Sequence, residues 1–320
     1  MMGVVLIMKC LVTGVAGFVG SWLAEALVAE GHQVMGIDSF TDYYHRDLKE
    51  NNLARLHENS SFTLLKEDLL EADLSRLLAE TDWVFHQAAQ AGVRASWGAS
   101  FEIYTENNIR ATQKLLEAAR DKDLKKFVYA SSSSVYGERT KLPMLEDDRL
   151  QPVSPYGVSK LAAENLCHLY AVNFGIPALS LRYFTVYGPR QRPDMAFHKF
   201  GRALLEEEEI TIYGDGEQSR DFTYIEDVVA ANLLAAESDL TDEILNIGGG
   251  SQVVLREVIE LMEELSGKEA RLKYISDQHG DVKHTRASTK KARYLLGFKP
   301  QWNLRQGLAE EIDWLSKLYG

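Results

Sequence analysis

Only two cysteines, Cys10 and Cys167, occur in 320 residues. That is too few for a disulfide framework, so a reducing, cytoplasmic setting is expected. Basic residues are outnumbered, with 35 Lys and Arg against 47 Asp and Glu and a net charge of -12. Nucleic acids are held chiefly by clustered Lys and Arg, and none is expected as a partner. The surplus of acid is read as a source of solubility. No apolar run approaches the roughly 20 residues that a bilayer crossing needs, so no membrane partner is expected. The eight histidines show no metal-ligand spacing, and no metal is expected. Internal repeats and low-complexity linkers are lacking too, so any lobes should pack closely. Met1 to Ile7 is apolar but has neither the basic start nor the small-residue cleavage site of a signal peptide. It is expected as the first strand.

What is present is ordinary for a globular chain, at 45% hydrophobic and 26% charged residues, and the length suggests two lobes. The strongest pattern is Cys10-Leu11-Val12-Thr13-Gly14-Val15-Ala16-Gly17-Phe18-Val19-Gly20. Val4 to Val12 is an apolar run interrupted by Lys9, the glycines follow at intervals of three, and Ser21 to Ala29 has helical apolar spacing. Strand, glycine turn and helix make a phosphate cradle. Glycines allow a tight turn and close approach, while the N–H groups and dipole at the helix start attract a pyrophosphate. Three glycines alone also describe a tight turn; the strand before and the helix after favour the cradle.

His32 to Asp38 reads as a second strand. Its terminal Asp38 lies about 20 positions past the glycines, where a carboxylate holds the adenosine ribose hydroxyls of a dinucleotide. A carboxylate there repels a 2′-phosphate and favours NAD over NADP; the plainer reading of Asp38 is a turn residue. Phe62 to Leu65, Trp83 to Gln90, Lys126 to Ala130 and Pro177 to Arg182 read as further strands, and Phe101 to Arg120 and Tyr156 to Phe174 as long helices. His86 is read as a core histidine rather than a catalyst. Alternation of strand and helix from residue 4 to 182 predicts an α/β fold with a doubly wound parallel sheet, its ligands beyond the carboxyl ends of the strands.

Beyond residue 182 the alternation is irregular. Glu206 to Glu209, four acids in a row, reads as a solvated helix end. Tyr224 to Ala236 reads as a helix and Glu243 to Ile247 as a strand. Leu255 to Leu265 and Leu304 to Leu318 read as amphipathic helices of a smaller lobe. The expected division is a cofactor domain over 1–182, to which 223–249 returns, and a substrate domain over 183–320.

Two clusters carry chemistry. Ser131-Ser132-Ser133-Ser134-Val135-Tyr136-Gly137 directly follows a strand. Tyr156-Gly157-Val158-Ser159-Lys160 sets Tyr and Lys four apart at a helix start, on one face. A lysine ammonium beside a tyrosine favours the phenolate and moves its pKa from about 10 toward working pH, as a general base requires. A serine hydroxyl from the strand end can hydrogen-bond the same alcohol. Tyr-x-x-x-Lys is weak alone and specific at this distance after a dinucleotide-binding half.

Together these residues resemble the extended short-chain dehydrogenase/reductase family, in particular its NAD-dependent nucleotide-sugar epimerases and dehydratases, over essentially the whole chain. The motifs are Thr13-Gly14-x-x-Gly17-x-x-Gly20, Ala88-Ala89-Gln90-Ala91-Gly92-Val93, the serine cluster, Tyr156-x-x-x-Lys160 and Arg182-Tyr183-Phe184-Thr185-Val186-Tyr187-Gly188-Pro189. The resemblance implies a Rossmann sheet with a smaller C-terminal α/β substrate-binding lobe, and Ser132, Tyr156 and Lys160 as a catalytic triad. It implies NAD contacts from Gly14, Gly17, Phe18, Val19, Asp38, Asp68, Leu69, Ala88, Ala89, Gln90, Tyr156, Lys160 and Tyr183, with Asp68 and Leu69 flanking the adenine. Asn108 would be the helix asparagine that supports the lysine.

Within that family the serines separate subgroups. Sugar 4,6-dehydratases place Asp-Glu after the catalytic Thr, and UDP-glucuronate decarboxylases carry a Glu one residue before Val-Tyr-Gly. Here those positions are Ser133 and Ser134, which hydrogen-bond but cannot act as a carboxylate acid or base. The stretches Phe184 to Phe197 and Ser39 to Lys49 resemble the UDP-glucuronic acid 4-epimerases. The activity so implied is reversible conversion of UDP-glucuronate to UDP-galacturonate through a 4-keto sugar. Arg192 would grip the sugar carboxylate with its fork, helped by Thr185, Ser133 and Ser134; the plainer reading has Arg190 and Arg192 facing phosphates or solvent. Arg220 would meet the pyrophosphate, Arg94 the sugar or phosphates and Asp281 the uridine ribose, and each is also compatible with a surface charge. Rival readings are a UDP-glucuronate decarboxylase, a UDP-glucose 4-epimerase and a non-catalytic NAD sensor, which would not need Tyr156 and Lys160. The helices Phe101 to Arg120 and Tyr156 to Phe174 resemble those of the family's four-helix-bundle homodimer.

Overall fold

The computed structural model describes residues 6–138, 141–277 and 279–320. Its centre is a sheet of seven parallel strands: β1 (Lys9–Thr13), β2 (Gln33–Ile37), β3 (Phe62–Leu65), β4 (Trp83–His86), β5 (Lys126–Ser132), β6 (Ala178–Tyr183) and β7 (Glu243–Ile247). Their spatial order is β7-β6-β5-β4-β1-β2-β3. The chain winds outward in both directions from β1 and β4, which opens a crevice above their carboxyl ends.

Both faces of the sheet are covered, so its strands are apolar on both sides. Val12, Phe85, Val128 and Leu181 belong to one buried cluster, and their neighbours Leu11, Val84 and Phe127 to the other. The first face carries the helix α1 (Phe18–Ala29), packed on the helix Ile225–Glu237. The second carries the helices Ala111–Ala119 and Pro155–Phe174, packed on each other.

The smaller lobe holds the helices Ala196–Leu205, Leu255–Ser266 and Leu304–Tyr319, and a parallel pair formed by Glu209–Tyr213 and Arg271–Ile275. Phe197, Phe222, Leu308 and Ile312 of this lobe lie in the same cluster as Val12 and Phe85. The lobes therefore share one core.

Several elements differ from expectation. β1 starts at Lys9, where pairing with Gln33 begins, and Leu6 and Ile7 are 62% exposed; Met1 to Val5 lie outside the described residues. β4 ends at His86, because Ala88 must turn under Gly14. The long helix from Phe101 widens to a π-helix over Thr105–Arg110 before Ala111–Ala119. Of the four acids, Glu206 ends a helix and Glu209 begins a strand.

Candidate active site

The crevice is a cleft of about 460 Å³ lined by the residues that follow β1, β2, β4, β5 and β6. Its floor is the glycine turn. Gly14 has φ +67°, and a Cβ there would lie 2.8 Å from the Ala88 backbone. At Gly20 a Cβ would stand 2.2 Å from the Gly14 carbonyl oxygen. Only glycine lets α1 start this close to the turn. The N-cap of α1, Gly17, has no capping side chain, so the first-turn N–H groups beside the cleft are left to a ligand. At the end of β2, Asp38 accepts the Ala16 N–H at 3.1 Å and the Phe40 N–H at 2.8 Å. Burial raises its pKa against these bonds and against the charge of Lys49. A cradle that a Cβ would fill, an uncapped helix start and a half-buried carboxylate at this edge together fit NAD. Phe18, Val19, Asp68, Leu69, Ala88, Ala89 and Gln90 also line the cleft.

His86 lies under this floor, fully buried. Thr112 donates its hydroxyl to the Asn108 carbonyl, so it can only accept from His86 Nε2, 2.8 Å away. Nδ1 therefore accepts from the Thr13 hydroxyl at 2.8 Å, and Thr13 in turn accepts the Ala88 N–H. Burial pushes His86 down to about 3. It is a neutral pivot between the glycine turn and the helix.

Asn108 departs from expectation. It lies outside the cleft lining, where its amide accepts from Gln90 N at 2.7 Å and donates to Gln90 O at 3.0 Å and to Ser159 at 2.8 Å. It fixes the Gln90 backbone and the helix that carries Lys160, rather than touching the lysine. Tyr183 lines the cleft while its hydroxyl is bound to Gln87 and Asn232.

Ser132 ends β5, and Tyr156 and Lys160 open the helix Pro155–Phe174, whose N-cap Ser154 accepts the Gly157 N–H. Burial raises the Tyr156 pKa; a hydrogen bond with Ser132 and the charge of Arg192 oppose that rise, and Asp194 adds to it. Lys160, one turn on, is itself buried. Its Nζ donates to the Ala130 carbonyl at 2.7 Å, and burial brings the ammonium down to about 8. Ser131 is structural: it donates to Glu164, which pairs with the buried Arg182 at 2.7 Å.

Ser133, Ser134, Thr185 and Arg192 line the same cleft. Arg192 grips Asp194 with two arms, Nε to Oδ1 at 2.9 Å and Nη2 to Oδ2 at 3.0 Å. Tyr43 donates to the same Oδ2 at 3.1 Å. Arg190, two residues earlier, has φ +74° and turns away to Glu25 of α1 at 2.7 Å. Arg94, Asp281 and Arg220 lie outside the lining. Arg94 and Asp281 pair with each other at 2.6 Å, and Arg220 donates to the Ser219 and Lys283 carbonyls. The sequence reading singled out none of Tyr43, Tyr44, Lys49 and Asp194, which also line the cleft. Three of them fall in Ser39 to Lys49 and one in Phe184 to Phe197, so the resemblance marked the stretches without the residues.

The model of the NAD dependent epimerase/dehydratase family matches residues 10–248. The chain belongs to that family. An uncharacterised UDP-glucose epimerase of Bacillus subtilis is 48% identical over 98% of this chain and 99% of its own. A UDP-glucuronate 4-epimerase of Thermodesulfobacterium geofontis is 40% identical over 95% of each chain. A crystal structure of UDP-glucuronic acid 4-epimerase from Bacillus cereus, in complex with UDP-glucuronic acid and NAD, superposes with a TM-score of 0.95 at 47% identity, covering 98% of this chain and 100% of that one.

Proposed function

We propose that this protein interconverts UDP-glucuronate and UDP-galacturonate by inverting C4 through a 4-keto sugar, with NAD as its cofactor. The observation that carries this reading is the meeting, in one cleft, of the Ser132–Tyr156 pair with Arg192, Thr185 and two serines in place of carboxylates. When bound, NAD+ supplies a two-electron acceptor and donor for the C4 hydrogen. Tyr156 takes the C4 hydroxyl proton and later returns it, while Ser132 holds the same oxygen. Lys160 keeps a positive charge behind the site.

The 4-keto uronate is a β-keto acid, which loses its carboxylate when the C–CO2 bond stands perpendicular to the carbonyl plane. Arg192, with Thr185, Ser133 and Ser134, holds the carboxylate out of that alignment. Arg192 is suited to this because its fork matches both oxygens.

Incubation of purified protein with UDP-glucuronate, without added NAD, followed by NMR, tests the reading. UDP-galacturonate is the expected product. UDP-pentose as the main product identifies a decarboxylase, and no turnover of UDP-glucuronate or UDP-glucose identifies a sensor. The name of the Bacillus subtilis relative favours a second reading, a UDP-glucose 4-epimerase. Turnover of UDP-glucose but not of UDP-glucuronate would establish it.

Residues 1–182 with 223–249 act as the cofactor domain and 183–320 as the substrate domain; the parallel pairing of β7 with β6 supports the return. Val158, Leu169 and Val172 form an exposed apolar stripe on the helix Pro155–Phe174, with Ile103 exposed on the neighbouring helix. Such a stripe supports a homodimer through a four-helix bundle. Two free, buried cysteines suit a cytoplasmic setting.

A further inference from the structure

We infer that Asp194, held by Tyr43, is the positioning residue that fixes which edge of Arg192 the sugar carboxylate meets, and so keeps the 4-keto acid from losing CO2. The inference rests on the reading of the cleft as a UDP-glucuronate site. A guanidinium has five N–H donors. Asp194 takes one on Nε and one on Nη2. Among the described residues three remain unpaired, and two of them, one on Nη1 and one on the outer side of Nη2, form the edge that a second carboxylate can take with two parallel bonds.

The brace is built from three separated segments. Arg192 and Asp194 lie in the loop before the helix Ala196–Leu205, Tyr43 lies beyond β2, and Gly92 lies beyond β4. Gly92 has φ +103°, and a Cβ there would stand 2.4 Å from the Tyr43 hydroxyl. Tyr43 reaches Asp194 only because residue 92 is glycine. Against burial, Arg192 holds the Asp194 carboxyl below its ordinary value, so the brace is ionised at working pH. It also keeps Arg192 from being an unpaired, half-buried cation when a sugar without a carboxylate is bound.

A braced Arg192 pins C6 of the intermediate. An unbraced one lets the carboxylate swing perpendicular to the C4 carbonyl. The C5–C6 bond then breaks, CO2 leaves, its electron pair forms the C4–C5 enolate, and protonation at C5 gives the 4-keto pentose.

The test uses Asp194→Asn, which keeps the size but can accept only one of the two N–H groups, and Tyr43→Phe, which keeps the ring beside Gly92. Each purified holoenzyme is given UDP-glucuronate, and UDP-glucose is used as a competing ligand. Asp194→Asn is expected to raise the fraction of decarboxylated product roughly tenfold. It should also raise KM for UDP-glucuronate roughly tenfold, with Ki for UDP-glucose changing less than about twofold. Tyr43→Phe moves the same quantities in the same direction by less, and serves alone if Asp194→Asn does not fold. A lower KM with no extra decarboxylation would mean that Asp194 merely competes for Arg192, and would overturn the inference. So would parallel changes in KM and Ki with an unaltered product ratio. If the wild type forms no UDP-galacturonate, the functional reading itself fails and the inference falls with it.

Discussion

The two ends of the cleft are held by different kinds of interaction. At the cofactor end the contacts are backbone and burial: Gly14 against Ala88, Gly20 against the Gly14 carbonyl, Asp38 on two N–H groups, and His86 between two threonines. At the sugar end they are polar and charged side chains paired with one another: Arg192 with Asp194, and Tyr43 with the same carboxylate. The contrast has a physical origin. Pyrophosphate can be bound by N–H groups and a helix dipole, which carry no net charge and need no counterion. A sugar carboxylate is bound by a guanidinium, and a guanidinium taken partly out of water needs a partner of its own. Charge recognition therefore comes with a carboxylate counterion, Asp194, whereas the carboxylate of the cradle, Asp38, is held by backbone N–H groups.

The largest expected effect sharpens the cofactor side. His86 has a folded pKa of about 3 against an ordinary 6.5, so the native state binds fewer protons than the unfolded chain. Stability is fully present above pH 6.5 and is lost as pH falls toward 3, by on the order of 5 kcal/mol. Urea denaturation across that window should show this slope and a flatter one for His86→Gln. An identical slope would mean that His86 is not the pivot described.

Gly20→Ala comes next. Overpacking against the Gly14 carbonyl should cost about 1–3 kcal/mol of stability and reduce the NAD that copurifies, as measured by releasing and quantifying the cofactor. Full NAD content would show that the turn tolerates what its geometry forbids. The smallest effects separate the two arginines. Arg192→Ala should raise KM for UDP-glucuronate by roughly tenfold and increase UDP-pentose, with NAD retained. Arg190→Ala should lower thermal stability by about 1 kcal/mol through the lost contact with α1. If Arg192→Ala kept full epimerase activity and made no more UDP-pentose than wild type, its proposed grip on the carboxylate would be wrong.

The cofactor end was legible because its signals are periodic and local. Strand, glycine triplet and helix lie within one short stretch, and β3 falls on Phe62–Leu65 as expected. The sugar end was legible only as stretches. Loops have no periodicity, and Arg190 and Arg192 look alike until the positive φ of Arg190 sends one to α1 and leaves the other in the cleft. The pairing of Arg94 with Asp281 spans 187 residues, which no local pattern reveals. The Lys160 Nζ is turned onto the Ala130 carbonyl of β5, and the Asn108 amide onto Gln90 and Ser159. All three are tertiary facts that override a sound local expectation.

The central claim is that the hydride taken from C4 is given back to C4 without leaving the protein. Its most direct test is UDP-glucuronate deuterated at C4, incubated with the purified protein in ordinary water without added NAD. The account predicts UDP-galacturonate with deuterium retained at C4; UDP-galacturonate carrying protium at C4 would contradict it.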